Sequence, residues 1–176
     1  KKVVSDGNEE MTYDYTYDYK GNLLTETDAN GNKTEYTYDF SNNVTWIMYP
    51  DIVWEFTAYD MMGRKIIEYD RDHNSIRYTN DKLGRVVDAQ QHMTGNSSAQ
   101  TKTYYDKNSN IVKKRVRNNA QGDTSESTFT TTEYVYNNVN NLIGTKVNDG
   151  SRTNAVQYWY DKADRITAMA TGLSSI

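Results

Sequence analysis

The chain has 176 residues, of which 36% are hydrophobic, and a formal net charge of −4 from 20 basic and 24 acidic residues spread along its length. The absence of cysteine excludes disulfides and thiolate metal sites. The even charge leaves no basic stripe for a phosphate backbone, and the longest apolar run, residues 46–49, is far too short to span a bilayer.

A seven-residue signature begins at Tyr17, Tyr38, Tyr59, Asn80, Tyr105, Tyr136 and Tyr160, and the first four copies stand 21 residues apart. A fixed period of this size marks a repeat array. In the first copy, Asp18 ends a strand by offering its carboxylate to the backbone two residues on. Gly21 tolerates the positive φ of a type I turn followed by a left-handed residue. Asn22 carries donors suited to tying the turn to a neighbouring hairpin, and Leu23 starts the next strand. A second turn follows at Asp28-Ala29-Asn30-Gly31. Beyond it, Thr34, Tyr36 and Tyr38 share one face while Glu35 and Thr37 share the other, the period of two that identifies a strand.

The second copy repeats the pattern with Asp39, Asn42, Asn43 and Val44, and has its second turn at Pro50-Asp51. The third uses Asp60, Gly63 and Arg64; Lys65 stands where the others are apolar, with Ile66 and Ile67 compensating, and Asp70 to His73 forms the second turn. The fourth has Asp81, Gly84, Arg85 and Val86, and the fifth Asp106, Ser109, Asn110 and Ile111. The sixth has Asn137, Asn140, Asn141 and Leu142 with a second turn at Asp149-Gly150, and the seventh Asp161, Asp164, Arg165 and Ile166. Each repeat therefore reads as two short strands, and the chain as an all-β array of antiparallel hairpins, roughly a dozen strands with almost no helix. Later repeats stretch to 25, 31 and 24 residues through segments 94–100, 118–127 and 149–154. Their Gly, Ser, Asn and Thr content predicts longer hairpin loops on the edge that carries the second turns. One array over residues 1–176 is expected, a long, open sheet that native twist curves into a strip or spiral. The first residues lack both an initiator Met and an apolar leader, which predicts an excised piece of a longer protein.

Sixteen Tyr against three Phe suit a thin sheet, because a Tyr packs its ring while its hydroxyl stays wet or finds a partner. No catalytic motif, metal set or cofactor site emerges. The recurring Asp residues sit where turns need them, not as the paired carboxylates of a glycosidase cleft. His73 and His92 are the only histidines, and His73 takes the place of the second-turn Gly. Asp28 to Asn32 resembles the opening of a calcium loop, but its Gly falls at the fourth position instead of the sixth and the twelfth lacks Glu. Asn-x-Ser/Thr sequons at Asn32, Asn43 and Asn96 matter only in a secreted eukaryotic chain. Trp46, Trp54 and Trp159 are the candidate binding residues, since exposed aromatics stack on sugar rings; burial of a large indole makes packing the competing reading.

The runs Tyr17-Asp18-Tyr19-Lys20-Gly21-Asn22-Leu23, Tyr36-Thr37-Tyr38-Asp39 and Tyr59-Asp60-Met61-Met62-Gly63-Arg64 resemble the YD repeats of the RHS family. That family includes bacterial RHS and wall-associated polymorphic toxins, the cocoon components of insecticidal toxin complexes, and the teneurin barrel. The resemblance covers about residues 13–170, with Asn80, Asn137 and the three stretched segments as departures. It implies hairpins spiralling into a hollow shell that, in the toxins, encloses a C-terminal payload. The site residues it implies are structural turn residues: Asp18, Gly21, Asp39, Asp60, Gly63, Asp81, Gly84, Asp106 and Asp161. The self-cleaving aspartyl site of the bacterial RHS core has no recognisable counterpart. Two roles follow as expectations. One is a non-enzymatic wall segment of a secreted or cell-surface bacterial shell, whose partners are the rest of that shell and its payload. The other is a carbohydrate-binding or cell-surface interaction module.

Overall fold

A computed structural model describes residues 2–5, 10–95, 97–120 and 129–173. Among them every regular element is a β-strand. Contacts divide the chain into two compact units, residues 1–77 and 78–176.

The first unit contains β1 (Lys2–Ser5), β2 (Glu10–Tyr17), β3 (Leu23–Thr27), β4 (Lys33–Tyr38), β5 (Val44–Met48), β6 (Trp54–Tyr59), β7 (Lys65–Tyr69) and the start of β8 (Ser75–Asn80). Each strand pairs antiparallel with the next in chain order, an open meander. The second unit holds β9 (Val86–Met93), β10 (Ser97–Tyr105), β11 (Ile111–Ala120), β12 (Thr130–Tyr136), β13 (Leu142–Asn148), β14 (Thr153–Tyr160) and β15 (Ile166–Leu173), again paired in sequence order. The strand count exceeds the expected dozen because every copy of the signature turns one hairpin, and β1 adds a strand before the first.

Hairpins closed by the signature share an irregularity that the alternation pattern did not reveal. Thr16 pairs with Thr25 and Tyr17 with Leu23, so Leu24 has no partner of its own. The same shift precedes Tyr38, Tyr59, Tyr105, Tyr136 and Tyr160. A bulge follows each of these six turns and raises the local twist. Its trace in the sequence is an apolar doublet where strict alternation would place one residue, as in Leu23-Leu24, Ile111-Val112 and Leu142-Ile143. Lys65 occupies the first place of such a doublet, opposite Tyr59, and binds Glu68 at 2.7 Å; Ile67 pairs with Ala58, and Ile66 is the exposed bulge residue.

The stretched segments differ from the sequence expectation. Residues 97–100 are strand, paired with both β9 and β11 in register, and β10 and β11 grow to 9 and 10 residues where β3 to β8 have 5 or 6. A tight turn at Gly95, φ +86°, joins β9 to β10. Asn118 to Ala120 likewise continue β11, while residues 121–127 of the second predicted loop lie outside the described residues. Thr153 and Asn154 open β14. Polar Thr, Ser and Asn are at home on a wet strand face as well as in loops, and the pairing partner decides between them.

Little of either unit is fully buried. Among described hydrophobic residues only Phe129 and Ala155 are, at 5% and 0% exposure. Half-buried aromatics carry the rest, consistent with a single sheet layer whose faces both meet solvent.

Candidate functional site: the turn ladder

The signature turns are built from one aspartate each. In the first, the Asp18 backbone N–H donates to Asn22 O at 2.9 Å and the Gly21 N–H to Asp18 O at 3.1 Å. Asp18 Oδ1 accepts the N–H groups of Lys20 and Asn22 at 2.9 and 2.8 Å, and Oδ2 accepts Asn22 Nδ2 at 2.8 Å. Equivalent bonds recur at Asp39, Asp60, Asp81, Asp106 and Asp161. Asn137 keeps both backbone bonds. Second turns at Asp28 and Asp70 repeat the pattern through Asn32 and Asn74.

The residue before the sixth column takes the left-handed backbone in every copy: Gly21, Asn42, Gly63, Gly84, Ser109, Asn140 and Asp164. His73 does so in its second turn at φ +62°. At Pro50-Asp51 the position falls on Ile52, φ +60° and 84% exposed. A β-branched side chain is strained there and gains almost nothing from burial. Ile52→Gly is expected to raise stability by about 0.5–1 kcal/mol, the left-handed penalty less the extra chain entropy of Gly. Urea unfolding checks this, since an unchanged or lower midpoint contradicts the strain.

Two sets of bonds join successive repeats. Sixth-column side chains reach past their own turn: Asn22 Nδ2 donates to Asn42 Oδ1 at 3.0 Å, Arg85 Nη1 to Ser109 Oγ at 3.0 Å, Asn110 Nδ2 to Asn140 Oδ1 at 3.0 Å and Asn141 Nδ2 to Asp164 Oδ1 at 2.6 Å. Asn and Arg share this column because both offer several donors on one planar group. Arg64, Arg85 and Arg165 also pair with their own Asp at 2.6, 2.6 and 2.7 Å. Signature tyrosines supply the second set. The hydroxyls of Tyr38, Tyr105, Tyr136 and Tyr160 donate to the carbonyls of Leu23, Val86, Ile111 and Leu142, the seventh-column residues of the preceding copies, at 2.7–3.2 Å. Tyr and Asp thus do different work, one locking a repeat to its predecessor and the other closing the turn.

These bonds set the electrostatics. Asn43 holds the Asp39 carboxyl below its ordinary range through its side-chain bond, as Arg85 does for Asp81 and Asn110 for Asp106. The backbone N–H of Arg64 does the same for Asp60, and that of Arg165 for Asp161. At Asp18, desolvation pushes upward but is outweighed by the bonds from Asn22, Lys20 and Gly21. Desolvation raises the phenols of Tyr38 and Tyr136. Both oxygens of Asp28 accept hydrogen bonds within its own turn, and no cluster of three or more metal-binding side chains occurs among the described residues.

The tryptophans separate into two environments. Trp46 and Trp54 stack at 4.7 Å with 24° between planes, and Phe56, Tyr69 and His73 surround them. They meet because Met48 pairs with Trp54 and Trp46 with Phe56, which puts all four on one face. Trp159 belongs to the second unit, is 43% exposed, and by alternation faces away from Tyr158 and Tyr160. Of the sequons, Asn32 and Asn43 lie in turns, and Asn96 is outside the described residues. No helix among the described residues is long and apolar enough to cross a membrane.

Comparison with known proteins agrees with this geometry. Residues 17–45 match the RHS Repeat family. No curated protein sequence matches the chain. Among solved structures, the chain is similar to the crystal structure of TcdB2-TccC3-Cdc42, with 18% identity and a TM-score of 0.64 over 94% of this chain and 9% of that one. It is similar also to TcdB2-TccC3 without its hypervariable C-terminal region, with 18% identity, a TM-score of 0.63 and the same coverage. The chain therefore spans under a tenth of the length of these two chains. The turn geometry of the segment that matches the RHS Repeat family recurs in the other copies of the signature, so the hairpins of this chain resemble RHS repeats.

Proposed function

We propose that this chain is a non-enzymatic wall segment of a larger, secreted or cell-surface bacterial shell that encloses or presents a toxin payload. The observation that carries the reading is the pair of inter-repeat bond sets, Tyr hydroxyl to seventh-column carbonyl and sixth-column donor to the next turn. They bond the second repeat to the first and link the fourth to seventh in succession, as extension of a wall by addition of like units requires. The fold likeness to TcdB2-TccC3 chains far longer than this one supports the same reading. The recurring signature aspartates are engaged as turn acceptors. Electron microscopy of the full-length parent protein tests the proposal. A hollow particle whose wall contains this segment is the expected result, and a solid particle or one with this segment projecting free overturns it.

The exposure of Trp159 favours a second reading, a glycan or cell-surface contact in the second unit. Stacking of Trp46 on Trp54 speaks for packing at those two positions. A glycan-array screen followed by fluorescence quenching separates the readings: saturable binding lost in Trp159→Ala supports a recognition module, and no binding by the folded chain leaves the wall.

A further inference from the structure

The tips of the signature turns change character along the chain. The third column is Tyr19, Phe40 and Met61 in the first three copies, and Lys82, Lys107, Asn138 and Lys162 in the last four. The turn closes alike in both groups, with the same aspartate bonds at Asp18, Asp39 and Asp60 as at Asp81, Asp106 and Asp161. An apolar tip therefore does nothing for its hairpin that a lysine does not do. Tyr19, Phe40, Met61 and the adjacent Met62 are 77–94% exposed. Their three turns adjoin within the first unit. Asn22 Nδ2 donates to Asn42 Oδ1, and Asn43 Nδ2 lies 3.8 Å from where a Cβ on Gly63 would stand. Lys20 Nζ donates to Phe40 O at 3.2 Å and to Asn42 Oδ1 at 3.4 Å, so its aliphatic stem fills the gap between the first two tips.

At about 150–250 Å² for a large side chain, the four together present on the order of 600 Å² of mostly apolar surface. A monomeric soluble protein seldom leaves a larger patch open to water. Two such ridges face to face bury about 1,200 Å², the lower end of what a specific pair of proteins needs. We infer that the signature-turn edge of the first unit, through Tyr19, Phe40, Met61 and Met62, is an interface between two copies of this chain. The even spacing makes the ridge self-complementary. Successive tips stand two strands apart, about 10 Å. A twofold axis through the middle tip then sets Phe40 on Phe40, and Tyr19 on Met61 of the other chain. Ring on ring and sulfur on ring are both favourable contacts, and a pairing of this kind closes at two copies. The charges agree with it, because Lys20 faces Met62 of the other chain and not a second Lys20.

Sedimentation velocity of the whole chain against concentration tests the pairing. A monomer–dimer equilibrium with a dissociation constant on the order of 10–100 µM is expected of an interface this small. Phe40→Lys gives the second signature turn the tip that Lys82 and Lys107 supply in later ones, and should weaken the dimer by roughly tenfold or more with the circular dichroism of the fold retained. Ile52→Gly removes an exposed apolar residue at the other end of β5 and should leave association unchanged. Cross-linking reads the register separately, since the native chain has no cysteine. Phe40→Cys brings two sulfurs together at the axis and should oxidise to a linked dimer, whereas in Tyr19→Cys they stand about 20 Å apart, beyond the reach of a disulfide. A chain that stays monomeric at every concentration overturns the inference and leaves the ridge to a different partner. Growth past the dimer, an unaltered dimer in Phe40→Lys, or equal linking of the two cysteine variants overturns it as well. Should Phe40→Lys not fold, the contrast between Phe40→Cys and Tyr19→Cys decides.

Discussion

Acidification is expected to unfold this protein steeply, with stability level above about pH 5 and falling sharply below about pH 4. Nine turn aspartates, Asp18, Asp28, Asp39, Asp60, Asp70, Asp81, Asp106, Asp149 and Asp161, all have carboxyls held below the ordinary value of 3.8. A carboxyl lowered in the folded state contributes stability that is present above its unfolded value and lost as pH falls through the folded one. Each shift is small and exposed to solvent, but nine act in the same direction within one narrow window. Coupling between successive repeats makes their loss cooperative. The phenols run the other way: raised Tyr38 and Tyr136 contribute stability below pH 10 that is lost as pH rises further, so the alkaline limit lies far from the acid one. Circular dichroism against pH measures both limits. Replacing Asp28, Asp70 and Asp106 together by Asn, the residue already present at Asn137, should move the acid midpoint to lower pH. An unmoved midpoint would show that acid unfolding has another origin.

Much of this was legible because turns are local. Asp to start, Gly or Asn at positive φ and Asn or Arg to close are properties of five consecutive residues, and His73 could be placed in the left-handed position from its alignment with Gly31. Ile52 escaped, since nothing in an Ile advertises positive φ. The bulges were written in the apolar doublets, but reading them requires knowing that a partner strand alternates strictly. Residues 97–100 were mistaken for loop because Ser, Ala and Gln do not announce the two flanking strands that pair with them. The tyrosine-to-carbonyl bonds and the packing of Arg117 on Phe129 depend on register between residues 12 or more apart, information that no local pattern holds.

Removing one turn aspartate from the middle of the second unit should cost more than its exposure suggests. Asp106 accepts the N–H groups of Asn108 and Asn110 at 2.9 and 2.8 Å and Asn110 Nδ2 at 3.0 Å, and its backbone carbonyl receives Arg85 Nη1 at 3.3 Å. Asp106→Ala deletes the first three acceptors at once and frees Asn110, whose amide also binds Asn140 in the next turn. By analogy with the loss of a helix cap, where one side-chain acceptor serves backbone donors, the expected cost is a clear fall in the urea midpoint. Asp106→Asn should cost less than half of that, because Asn137 shows that an amide oxygen satisfies both backbone donors. Urea unfolding of both variants and of Asn140→Gly measures the terms. If repeats are coupled through this column, the Asp106→Ala and Asn140→Gly costs will not add, since the first loosens the side chain that the second deprives of its partner. Strict additivity would mean that each turn stabilises only its own hairpin, and the tyrosine bonds alone would then join one repeat to the next.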